Sequence, residues 1–145
     1  MVEVPRIDRQ NVGYLLAKAS QRWNERLGAG FREAGYPEVR PSYGSVLVPL
    51  LEEDGLRMGE LARRSRLSKQ TMTTIVRLCE RDGLVYRERD PADGRAFRVM
   101  LTGRGRAARP VFAEIVTELD RELEGVLSEA GLMELRRLLR EVIEL

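Results

Sequence analysis

At 145 residues, 43% hydrophobic and 33% charged with a formal net charge of +2, the chain is sized for one domain, or for one domain with an assembly extension, built around a real core. One cysteine and no histidine exclude an internal disulfide, a Cys/His zinc site and histidine-based acid–base catalysis. There is neither a signal-peptide core nor a long apolar run, so a soluble cytoplasmic protein with no membrane partner is expected.

In chain order, residues 8–34 carry Val12, Leu15, Leu16, Ala19, Trp23, Leu27 and Phe31 three or four apart, a helical stripe with Asp8 as the expected N-cap. Gly28 and Gly30 predict a bend or an early end. After the connector 35–40, a second helix is expected at about 41–53, opened by Pro41 and kinked or shortened by Pro49. Residues 57–64 form a short helix, Ser65-Arg66-Leu67 a turn, and Ser68 the cap of a helix over 69–82 that Gly83 ends. Leu84 and Tyr86, then Val99 and Leu101, alternate on either side of the turn-rich 90–95, the pattern of a hairpin. From Thr102 the helical period returns, with apolar positions from Val111 to Val126 serving as core, as dimer seam, or as both. Ser128 caps a last helix running through Leu132, Leu135, Leu139 and Ile143.

Charge is unevenly spread along these elements. Residues 57–109 hold 14 Lys/Arg against 6 Asp/Glu, whereas residues 1–56 hold 7 against 8 and residues 110–145 hold 4 against 9. A basic middle between neutral and acidic flanks fits a DNA footprint with separate assembly surfaces, or a solvated basic face.

A helix at 57–64, a turn and a helix at 69–82 have helix-turn-helix spacing, in which the second helix offers its N-terminal residues to base edges. Met72, Ile75, Val76 and Cys79 share one face of that helix; Lys69, Gln70, Thr73, Thr74 and Arg77 share the other. Gln70 suits adenine, the threonine methyls suit thymine methyls, and Lys69 and Arg77 suit phosphate or guanine. The free N–H groups over Ser68–Thr71 suit a phosphate. By itself this is also the pattern of an ordinary amphipathic helix. The hairpin that follows adds Asp90-Pro91-Ala92-Asp93-Gly94-Arg95 at its tip, ringed by Arg87, Arg89 and Arg98. A carboxylate at Asp93 that orients the Arg95 guanidinium would suit a narrow, electronegative minor groove. Helix and hairpin together suggest a mainly α winged helix-turn-helix with a small β-hairpin wing.

The stretch 55–108, GLRMGELARRSRLSKQTMTTIVRLCERDGLVYRERDPADGRAFRVMLTGRGRAA, resembles the MarR-type (multiple antibiotic resistance) winged-helix regulators, with weaker agreement at 39–50 and in both terminal helices. The resemblance implies an obligate homodimer. Residues 1–38 and 103–145 would form the dimer body, and residues 39–102 the winged lobe that reaches a pseudo-palindromic DNA operator. It implies that Asp93 and Arg95 match the family's wing Asp-x-Arg and that Lys69, Gln70, Thr73, Thr74 and Arg77 face DNA; Arg89, at the hairpin tip, is a further wing candidate. Thr74 stands where such proteins often carry arginine, and Tyr43 where they often carry glutamine or histidine.

The expected function is a transcription regulator, a repressor relieved by a small aromatic or anionic effector and nucleoid-associated when bound to DNA, needing no cofactor or metal. Trp23 and Tyr43 are candidates for lining an effector pocket, or for core and hinge packing, and Cys79 is read as core. The rival reading is a protein-interaction module whose basic face binds DNA without sequence preference. A small enzyme has no histidine, metal cluster, phosphate loop or activated nucleophile to stand on.

Overall fold

The structure, a computed structural model, describes Val2, Val4 and residues 6–145. Residues 1, 3 and 5 of the expected N-terminal segment lie outside the described residues. Helix α1 spans Val12–Glu33, and its N-cap is Asn11 rather than Asp8. The Asn11 side-chain oxygen accepts the N–H groups of Gly13 at 3.0 Å and Tyr14 at 3.3 Å, whereas Asp8 accepts that of Gln10 in a preceding turn. The helix neither bends out nor ends at Gly28 or Gly30. Gly30 instead allows a close crossing, since a Cβ there would stand 2.7 Å from Ile115 Cγ2.

A 3-10 turn at Pro41–Tyr43 leads into helix α2, Gly44–Glu52, which continues through Pro49. Proline removes the N–H that the Ser45 carbonyl would accept. The Ser65 hydroxyl, 20 residues on, donates to that carbonyl at 2.6 Å. Ser65→Ala is expected to lower stability by about 1 kcal/mol, the scale of a part-buried carbonyl left without a donor. An unchanged denaturation midpoint would remove this account of how Pro49 is tolerated.

Strand β1, Leu56–Arg57, occupies the point where the sequence predicts a helix start, and helix α3 follows at Met58–Arg64. Helix α4 spans Lys69–Arg81, and strands β2, Val85–Arg89, and β3, Phe97–Leu101, make the hairpin. The sheet is antiparallel in the order β1-β3-β2, with Leu56 opposite Val99 and Val85 opposite Leu101. The wing is therefore anchored by a third strand, too short to show an alternation. The inward register also differs by one: Val85 is 2% exposed and Tyr86 42%. Leu84 is buried just before the strand, so the inward run is Leu84–Val85 rather than Leu84 and Tyr86.

Helices α1, α3 and α4 end in the same motif, in which the N–H two beyond the cap reaches back to the third-last helical carbonyl. The pairs are Tyr36 to Phe31, Leu67 to Ala62 and Leu84 to Cys79. The intervening left-handed residue is Gly35, Arg66 or Gly83.

Helix α5, Gly103–Ile143, breaks at Ser128, whose backbone is non-helical (φ 68°, ψ 166°). The Ser128 Oγ accepts the Gly131 N–H at 3.2 Å, so Ser128 caps a last helical segment as its position predicts. At the other end Thr102 is the hub. It donates its N–H to the Leu84 carbonyl and its hydroxyl to the Gly83 carbonyl, and it accepts the Gly105 N–H.

Tyr43, Val46, Leu50, Leu61, Met72, Val76, Leu84 and Val99 make the centre of one core. Phe31, Tyr36 and Ala108 join it from outside the 39–102 lobe, and Phe112 packs on Phe31 and Tyr36 at ring distances of 4.9 and 5.3 Å. The terminal stripes behave differently. Only the Leu27 and Phe31 end of the α1 stripe meets this core; Val12, Tyr14, Leu15 and Leu16 are exposed, as are Val126, Met133, Leu138, Leu139, Val142 and Ile143. Among the described residues no helix is long and apolar enough to cross a membrane.

Candidate nucleic-acid interface

Ser68, with extended backbone and a side-chain oxygen 3.1 Å from the Thr71 N–H, starts α4 where the sequence places it. Met72, Ile75, Val76 and Cys79 are buried, which turns Lys69, Gln70, Thr74 and Arg77 to solvent and leaves Thr73 half-buried. The hydroxyls of Thr73 and Thr74 donate to the carbonyls of Lys69 and Gln70 at 2.8 and 3.1 Å. With those protons committed to the helix, the threonine methyls are the groups left for apolar contact with a thymine methyl. The Ser68 hydroxyl is likewise engaged with Thr71, so a phosphate arriving at this end meets backbone N–H groups.

The wing tip is built by short bonds. Asp90 is only 8% exposed; its carboxylate accepts from Arg57 Nε at 2.7 Å and from the Ala92 N–H at 2.8 Å. Arg89 Nη1 donates to the Gly94 carbonyl at 2.8 Å, and its guanidinium lies 5.6 Å from the Phe97 ring centre. The expected orientation of Arg95 by Asp93 is corrected in one respect. Asp93 accepts the backbone N–H of Arg95 at 3.0 Å, not its guanidinium. The carboxylate thus shapes the loop from which Arg95 projects, because two residues of separation suit an Asx-type turn better than an ion pair.

Asp90 and Arg57 were absent from the candidate residues. An Asp before Pro is a turn signal, but its partner lies 33 positions upstream on a two-residue strand. Both bonds stabilise the charged carboxylate and hold Asp90 below the ordinary value of 3.8. Because the folded value is depressed, this contribution is fully present above the ordinary carboxylate range and is lost as pH falls through the folded value. The protection of the Ala92 and Ala96 amides, taken relative to intrinsic exchange rates at each pH, is expected to fall selectively under acid conditions. Uniform behaviour across the hairpin would contradict this.

Ion pairing sorts the basic residues. Arg63 and Arg64 share Glu60, whose carboxyl they hold down to about 2, Arg81 pairs with Asp82, Arg87 with Glu80 and Arg98 with Glu88. Among the described residues, Lys69, Arg77, Arg89 and Arg95 have no such carboxylate partner. Of the cations in 57–109 without a carboxylate partner, these four sit on the outer face of α4 and on the wing, the two places that would meet phosphates, and Arg106 and Arg109 sit on the first turns of α5.

The two aromatic candidates differ in burial. Trp23 is half-buried on α1. Tyr43 is fully enclosed, and its hydroxyl donates to Asp82 at the end of α4; burial and that carboxylate push the phenol up to about 12. Cys79 is buried in the same core, and burial pushes its thiol up to about 12, which keeps it protonated and unreactive at neutral pH. A groove of about 570 Å³ separates α1 from α5, lined by Arg26, Gly30, Glu33, Ile115, Glu118 and Glu122; neither Trp23 nor Tyr43 lines it.

Residues 39–96 match the model of the MarR family. An HTH-type transcriptional repressor of Mycobacterium tuberculosis is 27% identical over 135 residues, covering 93% of this chain and 95% of that protein. The PcaV transcriptional regulator of Streptomyces coelicolor, solved with its natural ligand, superposes with a TM-score of 0.81 at 22% identity, covering 97% of this chain and 98% of that one. MepR of S. aureus, solved in complex with DNA, gives 0.80 at 23% identity, with 92% and 97% covered. These two structures share the helical body and the winged lobe described above.

Proposed function

Because the chain belongs to the MarR family, whose members are transcriptional regulators and not enzymes, we propose that it acts as a homodimeric, sequence-specific DNA-binding repressor of a pseudo-palindromic operator, released by a small-molecule effector. The observation that carries this reading is the placement of Lys69, Arg77, Arg89 and Arg95. Of the basic-middle cations that no carboxylate holds, these four lie around a short polar face whose Gln70, Thr73 and Thr74 suit base edges, while the other two, Arg106 and Arg109, lie on α5. Two such faces one helical turn apart along the duplex would read a two-fold operator.

The dimer is supported by the apolar surface at both ends of the chain. Val12, Leu15 and Leu16 on α1 and Leu138, Leu139, Val142 and Ile143 on α5 are too many exposed aliphatic residues for a lone protomer in water. An isologous pairing of these faces would bury them. An effector then acts by favouring one spacing of the two lobes. Trp23 offers surface to such a ligand. Tyr43 can contact one only if its bond to Asp82 opens. The protein works in the cytoplasm, on the nucleoid when DNA-bound, and the reading needs no cofactor.

Binding-site selection from randomised duplex DNA with the purified protein tests it. A recovered pseudo-palindrome with half-sites about one turn apart is expected. Recovery of no preferred sequence, with binding that only tracks salt, would favour the protein-interaction reading instead.

A further inference from the structure

Of the three helix ends that share one bonding pattern, two place glycine at the left-handed position, Gly35 (φ 89°) and Gly83 (φ 75°), and the third places Arg66 (φ 52°). Glycine adopts this backbone without steric cost and a side chain does not. The turn of the helix-turn-helix is thus strained where the other two are relaxed, and what it has in exchange is a guanidinium two residues before the α4 N-cap. That guanidinium is turned away to the far end of the chain. Its Nη2 lies 2.6 Å from the Glu144 carboxylate and its Nη1 3.4 Å from the Ile143 carbonyl, at the end of α5. Both side chains are exposed, at 60% and 68%.

Building on the DNA-binding reading above, we propose that Arg66 is a further phosphate-binding residue of the interface, held off DNA in the free protein by Glu144. The acidic end of α5 then competes with the DNA backbone for one arginine. Three features favour an exchange over a fixed clamp. An exposed ion pair is weakly held, because water screens it and two long side chains must be immobilised. Releasing it uncovers no buried group. The phosphate that would replace the carboxylate lies beside the N-terminus of α4, where the unpaired N–H groups and the helix dipole also favour an anion.

Polarisation titrations of the selected operator over a salt series, on the parent, Glu144→Gln, Arg66→Gln, Arg66→Lys and the double Arg66→Gln/Glu144→Gln protein, test this. Glu144→Gln is expected to tighten binding about two- to fivefold, the scale of freeing one exposed pair. Arg66→Gln is expected to weaken binding and to lower the slope of log K against log salt by about one per protomer, while Arg66→Lys keeps the slope. In the Arg66→Gln background, Glu144→Gln should have no further effect. A purely structural clamp predicts the reverse sign, weaker binding by Glu144→Gln. That result, no change in Glu144→Gln, or an undiminished slope in Arg66→Gln overturns the proposal alone. A parent that selects no sequence overturns the DNA-binding reading and this proposal together.

Discussion

Arg95→Ala is expected to weaken operator binding by on the order of a hundredfold or more, at about 1–3 kcal/mol for each of two wings. The salt slope should fall by about one per wing. The reason lies in how the tip is made. Asp93, Asp90 and Arg89 spend their side chains on the loop itself, through the Arg95 N–H, the Ala92 N–H and the Gly94 carbonyl. Arg95 is exposed and takes no part in that bonding through its side chain. Its removal should therefore leave the thermal midpoint unchanged while the affinity drops. Melting at fixed protein concentration and operator titration separate the two. An Arg95→Ala protein that binds as tightly as the parent would sink the assignment of the wing to DNA.

The second large effect concerns folding. Gly105 lies in the first turn of α5 against the hairpin, and a Cβ on it would stand 2.2 Å from the Leu84 carbonyl oxygen and 3.2 Å from Leu101 Cδ2. The nearer atom is backbone, fixed by accepting the Thr102 N–H at 3.0 Å, so it cannot rotate aside. Relief requires moving α5 away from β2 and breaking the Thr102 hub. Gly105→Ala is expected to cost about 3 kcal/mol, at the upper end for overpacking, and to lower the thermal midpoint by roughly 10 °C. Gly103→Ala is the control: it lies two residues earlier on α5 with nothing within 4 Å, and should melt within a few degrees of the parent. Equal melting of the two variants would contradict the packing described.

Helix α4 was legible in the sequence almost to the residue, because every signal that makes it is local. Ser68 caps it, the apolar positions recur at the helical period, and Gly83 supplies the left-handed exit. The same holds for the wing turn and for Ser128, where a capping side chain acts within three residues. The errors had local causes as well. Asp8 caps a separate turn and the helix starts one turn later behind Asn11, and Val85 took the inward place expected of Tyr86 because Leu84 belongs to the helix exit. On α4 the helical period places Lys69, Gln70, Thr74 and Arg77 on the solvent side, as observed, whereas the Asp93 carboxylate meets the backbone N–H of Arg95 rather than its guanidinium.

What the chain determined by itself is therefore its helices, its hairpin and the face that α4 presents, since capping, periodicity and turn chemistry act over a few residues, whereas strand β1 exists only through its pairing with β3. Only the tertiary structure decided which distant groups complete them. Ser65 supplies the donor that Pro49 removes, Arg57 holds Asp90 in the wing, Asp82 holds the Tyr43 hydroxyl in the core, and Glu144 pairs with Arg66. Each of these bonds joins residues 20 to 78 positions apart, and no short-range pattern encodes a partner that only the folded chain brings within bonding distance.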